Sequence, residues 1–330
     1  MRIAGAAALL ALGLVALGAS AGPNPDAFTL GVVRRDGLML PFASFDGHHW
    51  QSPWPGLGPV GGRSSSSLTL PITVSDVPAK WWGATPPDAS WTAWTLDGAT
   101  RPLKLETPVE TRVFCHSELM IATDYRGGAF DPQSPTVPKD ALATAGSVRI
   151  TPIVTVSTLG PDTPGLIQTI IPEFNKEEDR AIRGFTDWRD PFTPDQRKAL
   201  PIEIEAIYRD PGSNPSPDGA WRTTYVEAIR KYPPRPQDKG CGLITFVRGW
   251  VIERAGKAPT IDLGARVTYC DRDQVSFMLP LGRLSAGGDL YWIYQMSSWT
   301  DEFYIVARER PNGVRPTVAA EGGACSRRRF

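Results

Sequence analysis

Short apolar runs, many of them alternating with polar residues, recur along most of this chain and are separated by glycine, proline and Asp-Gly pairs. Period-two alternation marks a strand with one covered face, and a short unbroken apolar run between turn residues marks a strand covered on both. That pattern predicts strands at residues 29–35, 38–45, 68–74, 91–96, 101–106, 109–115, 119–123 and 148–157. It predicts further strands at 202–208, 221–232, 243–253, 261–269, 275–279, 290–296 and 303–308. Helical spacing is confined to the middle, where Phe174, Ala181, Ile182 and Phe185 share one face of a segment over 173–183. A second short helix is predicted at Thr193-Pro194-Asp195-Gln196: Thr193 caps, Pro194 suits the first turn and Gln196 holds the reciprocal capping position. Residues 56–67 and 126–147, rich in small residues and breakers, read as long loops.

The expectation is a mainly β protein with a small central helical segment, its two β-sheet units packed as a sandwich. A single propeller-like ring is the alternative, and the lack of a blade-length repeat counts against it. The predicted organisation is a signal peptide over 1–21, an N-terminal β-rich domain over 22–160, a helical connecting segment over 161–200, a C-terminal β-rich domain over 201–325 and a basic tail over 326–330. One arginine precedes the apolar start, which closes on Ala19-Ser20-Ala21, a small-x-small cleavage signature. Export follows from that reading, secreted or periplasmic, with no membrane span left after cleavage.

The stretch RRDGLMLPFASFDGHHW, residues 34–50, sharpens the picture locally. Asp36-Gly37 and Asp46-Gly47 have the composition of two-residue hairpin turns, so a three-strand meander is expected, with Phe45 facing His48 and Ser44 facing His49. Adjacent histidines on a strand point to opposite faces, and with His116 alone elsewhere and no HxH, HExxH or CxxC spacing, no metal site is predicted. Residues 38–43 are apolar at both parities, so this strand is expected to be covered on both sides, with Pro41 at a bulge or an edge.

Charge and composition remove whole classes of function. With 35 basic and 35 acidic residues the chain has no electrostatic footprint for nucleic acid or an anionic bilayer. No GxxxxGK[ST] or SxxK motif is present and no GxGxxG opens a helix, so no cofactor is predicted. The loop 210–219 carries oxygen ligands whose spacing misses the calcium-loop pattern.

Two carboxylate pairs are candidate catalytic groups. Glu203 and Glu205 lie on one face of a predicted strand, about 7 Å apart on the strand rise, and Asp187 and Asp190 bracket Trp188-Arg189. Six of the 11 tryptophans fall between Trp50 and Trp94. Trp81 and Trp82, adjacent in a proline- and glycine-rich stretch, are candidate ligand-binding residues, because neighbouring indoles are hard to bury together and a flat apolar ring suits a sugar or a protein partner.

Four cysteines in an exported chain imply two disulfides. A hairpin turning at Ala255-Gly256, with Cys241 opposite Cys270, sets Ile244 against Val267, Phe246 against Ala265 and Trp250 against Ile261. The register gathers Ile244, Phe246, Trp250, Ile261, Leu263, Val267 and Tyr269 on one face and leaves Thr245, Arg266 and Thr268 on the cysteine face. Cys241–Cys270 follows from that geometry, and Cys115–Cys325 by elimination. The resulting expectation is a non-catalytic binding or structural protein acting outside the cytoplasm, on a glycan or on another envelope or secreted protein. The alternative is a carbohydrate-active hydrolase using a carboxylate pair beside an aromatic platform.

Overall fold

The computed structural model describes residues 24–59, 71–86, 88–131, 137–188, 191–211, 221–234, 242–272 and 275–325. The signal segment, most of the 56–67 loop and of the 210–219 loop, Asp190, Cys241 and the 326–330 tail lie outside those residues. The protein is mainly β, with three antiparallel sheets and one long helix, and neither a closed barrel nor a propeller is found among the described residues.

The first sheet holds β1 (Phe28–Arg34), β2 (Leu38–Phe45), β3 (Trp50–Gln51), β4 (Gly56–Pro59), β5 (Trp91–Thr95), β6 (Thr100–Leu103), β7 (Leu105–Val113), β8 (His116–Thr123) and β9 (Lys139–Gly146). Its order is β4-β8-β2-β1-β9-β5-β6, with β3 beside β2 and β7 beside β8. The β1–β2 hairpin turns over residues 35–37, where Gly37 takes φ +87°. Leu30 pairs with Ala43 and Gly31 with Pro41, so the expected bulge falls beside the proline that has no N–H to give.

Three local expectations are corrected. The second turn spans four residues, Phe45 pairing with Trp50 rather than His48. His48 and His49 therefore sit in the turn, where their N–H groups bond Asp46 Oδ1 at 2.8 and 2.7 Å and hold that carboxyl below its ordinary range. The predicted loop 126–147 contains β9, which lies between β1 and β5 in the middle of the sheet. Its residues Ala141, Leu142, Ala143 and Ala145 are wholly buried, and alanine carries almost no strand signal of its own. The predicted strand over 68–74 is likewise replaced, over its described part, by a short 3-10 turn at Val74–Asp76.

After the short β10 (Val154–Thr155) the chain forms α1 (Thr163–Gly184) and α2 (Pro194–Lys198). Helix α1 starts ten residues earlier than its spacing predicts, with one proline in its first turn and a second, Pro172, inside it. In α2 the Thr193 hydroxyl accepts from Gln196 N while the Gln196 side chain accepts from Thr193 N, the reciprocal cap that the sequence announces. The second sheet runs β10, β11 (Glu203–Arg209), β12 (Trp221–Lys231), β13 (Leu243–Arg254) and β14 (Lys257–Tyr269). The third is a meander of β15 (Phe277–Ala286), β16 (Asp289–Ser297), β17 (Asp301–Arg310) and β18 (Gly313–Ala324).

Alternation along β16 and β17 explains how the three sheets stack. Tyr291, Ile293, Tyr304 and Val306 point to one side and join the core of the first sheet. Trp292, Tyr294, Met296, Phe303 and Ile305 point to the other and meet Tyr225, Trp250 and Ile252 of the second sheet. The second sheet turns its remaining face, Val226, Ala228, Val247 and Val251, onto Ile170 and Phe174 of α1. The third sheet is thus the middle layer, covered on both faces, and the order of layers is first sheet, third sheet, second sheet, helix. Sandwich packing holds, with three sheets where the sequence suggested two units.

The β13–β14 register departs from expectation by one residue. Arg254 faces Lys257 across a two-residue turn at Ala255-Gly256, as predicted, but Ile252 faces Thr260. One extra residue therefore enters β14 at 258–259, where Pro259 cannot donate to the ladder. Beyond that bulge Ile244 faces Thr268, Phe246 faces Arg266 and Trp250 faces Asp262. The apolar pattern failed to exclude this slip because β13 is buried on both faces, so either parity of β14 finds apolar company. The disulfide Cys115–Cys325 is present, its Cα atoms 4.6 Å apart, and ties the β7–β8 turn to the end of β18. Cys270 is disulfide-bonded; the proposed pairing with Cys241 lies outside the described residues.

Candidate functional site

The register slip decides what faces the third sheet. It sends Ile261, Leu263 and Ala265 of β14 to the helix side, and by strand alternation it brings Asp262, Gly264 and Arg266 to the side of Phe246 and Trp250. Small and polar groups thus replace the aliphatic residues that would have filled the space, and a cleft of about 570 Å³ remains between the second and third sheets. A volume of this order is in the range of small-molecule sites.

The second sheet supplies one wall of the cleft with Tyr225, Phe246, Arg248, Trp250, Asp262 and Gly264, and the third sheet supplies the other with Met278, Tyr294, Met296, Ile305, Val314 and Pro316. At Gly264 an added Cβ would meet nothing within 4 Å, so the glycine contributes open space to the site. The aromatic end is rigid: Trp250 stands edge-on to Tyr225 and Trp292, at 5.0 and 4.9 Å between ring centres, and lies 6.0 Å from Tyr294. Arg315 of β18 reaches Asp262 at 2.6 Å and bridges the two sheets at the cleft edge.

The polar end is built on a cross-strand pair, Glu227 on β12 and Arg248 on β13. The Arg248 guanidinium donates to the Ser276 carbonyl, and no carboxylate lies within ion-pair distance of it among the described residues. Glu227 is buried and accepts from Met278 N at 2.8 Å and from the Tyr225 hydroxyl at 3.2 Å. Burial pushes its carboxyl up to about 7, against the opposing pull of the Met278 N–H and the Arg248 charge. Tyr225 and Tyr294 are pushed up by the same burial and keep their protons.

Two further buried carboxylates are held by several donors each. Glu309 accepts from Trp221 Nε1, Thr223 Oγ1, Arg283 Nε and Trp292 Nε1 between 2.6 and 3.1 Å. Glu178 accepts from Arg230 at 2.5 Å and Tyr232 at 2.7 Å beneath α1. Both are engaged by neighbouring donors within the fold.

The candidates singled out in the sequence are dispersed. Glu203 pairs with Lys231 at 2.6 Å and Glu205 with Arg272 at 2.5 Å, and a bulge between Ile204 and Ala206 breaks the alternation that put them on one face. Asp187 is exposed after α1, and its partner Asp190 lies outside the described residues. Trp81 and Trp82 are 9 % and 0 % exposed in the first-sheet core, against Trp54 and Trp91, so the premise that adjacent indoles resist joint burial does not hold here. A short 3-10 turn over Ala79–Trp81 lets both rings turn inward. Sequence reasoning missed the cleft because its residues come from strands that each read as ordinary core; the one available signal was Pro259 inside an otherwise regular hairpin.

The fold and site define a three-sheet β stack with an aromatic, arginine-bearing cleft between two of its layers. No protein-family model, curated protein or solved structure matches this chain. Among the described residues no group of three or more His, Cys, Asp or Glu side chains is placed to hold a metal ion. None of their helices is long and apolar enough to cross a membrane, which does not bear on strands. Together with the disulfide, this is compatible with an extracytoplasmic location.

Proposed function

We propose that this is an exported, non-catalytic binding protein that holds a small ligand in the cleft between its second and third sheets. One observation carries the reading: two otherwise closely packed sheets leave about 570 Å³ between them, lined by aromatic and thioether side chains around Arg248. Interiors normally close to crystal-like density, so a space of this size costs contacts that a bound molecule restores. Methionine and aromatic walls adapt to an apolar body, and the few polar groups orient it. Export rests on the Ala19-Ser20-Ala21 signature and on the Cys115–Cys325 crosslink, which an oxidising compartment maintains.

The test fills the cleft from its wall. Gly264→Ile places a side chain in open space on a strand and strains no backbone. N-phenyl-1-naphthylamine, an uncharged fluorescent probe, is expected to bind the native protein with one saturable site and to lose that site in the variant, whose melting temperature stays level or rises. Unchanged probe binding in a folded Gly264→Ile protein would overturn the reading.

A further inference from the structure

We propose that the ligand of this cleft is an anionic amphiphile, a single carboxylate, sulfonate or phosphate group on an apolar body, with the anion on Arg248 and the body between Trp250 and the third-sheet methionines. The inference rests on the binding reading above and adds a ligand class to it. Of the other charged residues that line the cleft, Asp262 is matched by Arg315, and neither Arg266 nor Asp301 is without a partner. Arg248 donates to the Ser276 carbonyl and has no carboxylate within ion-pair distance among the described residues. A guanidinium carries five N–H donors, and one carbonyl leaves most of the fork unused; its natural complement is a planar or tetrahedral oxyanion.

Glu227 makes the site conditional. It is the cross-strand neighbour of Arg248 and shares the buried face with Tyr225. The groups that act on it are the Met278 N–H from the third sheet, Arg248 and Tyr225 within the second, and Glu205 on β11. Arg248 in turn acts on Tyr294, which faces it from β16. With its proton on, Glu227 is neutral and Arg248 presents an uncompensated positive charge to the cleft. With the proton off, the two charges neutralise one another and an incoming anion meets a carboxylate behind the arginine. Affinity for the anion therefore falls as pH rises through about 7, the value to which burial carries Glu227.

Two probes with one aromatic body separate the inference from the reading beneath it. 8-Anilinonaphthalene-1-sulfonate carries a permanent negative charge, and N-phenyl-1-naphthylamine is the same body without it. Fluorescence titration of the full chain is expected to show both probes displaced by Gly264→Ile. Arg248→Met is expected to weaken the sulfonate roughly tenfold or more, the scale of one charge-assisted hydrogen bond, and to leave the amine unchanged. Arg248→Lys, which keeps the charge, is expected to recover part of the loss. Sulfonate affinity should drop between about pH 6 and about pH 8, and Glu227→Gln should flatten that drop. If neither probe is sensitive to Gly264→Ile, the cleft reading itself fails. If both are, and Arg248→Met weakens both equally or neither, the cleft stands and the anionic class is wrong.

Discussion

The middle sheet meets its two neighbours in different ways. Towards the first sheet it presents Tyr291, Ile293, Tyr304 and Val306 to a continuous apolar core, with a covalent tie at Cys115–Cys325. Towards the second sheet the same strands present Tyr294, Met296 and Ile305, and part of what they meet is space, an arginine and a glycine. The strands are shared, so their own propensity cannot be the cause. The difference comes from the opposing layer, where one extra residue at 258–259 turns the aliphatic side of β14 to the helix and its polar side to the middle sheet. A single backbone device, placed by a proline, converts a core interface into a cleft.

The most severe way to break the comparison is to remove the bulge. Deleting Ala258 would restore the register of the turn along all of β14, swing Ile261, Leu263 and Ala265 out from under α1 and drive Asp262 and Arg266 into that core. The cost exceeds the whole stability of an ordinary domain, which is only about 5–15 kcal/mol, so the variant is expected to be unfolded by circular dichroism. A folded, cooperative deletion variant would show that the bulge does not set the faces.

Next in size is the covalent tie on the closed side. Its two cysteines are 210 residues apart, and closing so long a loop is worth on the order of 5 kcal/mol in the chain-entropy model. Cys115→Ala with Cys325→Ala should lower the urea midpoint accordingly while leaving probe binding at the opposite interface intact.

Paired truncations of one residue type on the two faces come third. Ile293→Ala, in the closed core, is expected to cost about 4 kcal/mol, and Ile305→Ala, on the cleft wall, about 2 kcal/mol, because a side chain that already borders space has fewer contacts to lose. Equal losses in chemical denaturation would mean that the cleft closes in solution.

Last comes a pH slope from the closed interface. Glu118 on β8 is buried 3.9 Å from His116 Nδ1, and burial, with Glu321 and Glu302 nearby, pushes its carboxyl up to about 8. A carboxyl raised on folding binds its proton more tightly in the folded state, so its contribution is complete below the ordinary carboxyl range and is lost as pH rises through about 8. Stability should fall from about pH 5 to about pH 8.5, and Glu118→Gln should remove roughly 2–3 kcal/mol of that fall. Urea midpoints at the two pH values measure it; an unchanged slope in the variant would place the proton elsewhere.

The strands of the hairpins, the α2 cap, the Pro41 bulge and the Cys115–Cys325 bridge were legible because each rests on local chemistry: alternation, a capping pair, a missing N–H, an even cysteine set. What escaped the sequence was set by neighbours distant along the chain. Strand β9 is alanine-rich and becomes central only because β1 and β5 flank it. Helix α1 extends ten residues before its predicted start and carries Pro172, an ordinary helix breaker, inside it. The β14 register could not be chosen because both parities of β13 are apolar, and with the register went the cleft. Glu203 and Glu205 drew attention as a pair, whereas Glu227, one buried carboxylate in the strand that pairs with theirs, has the shifted proton affinity.

The most direct test of the account is a crystal structure of the protein soaked with N-phenyl-1-naphthylamine. The account predicts the naphthyl ring between the second and third sheets, against Gly264 and the indole of Trp250, with no probe between the first and third. Probe seated elsewhere, with the side chains of Met278, Met296 and Phe246 collapsed together across an empty interface, would contradict it.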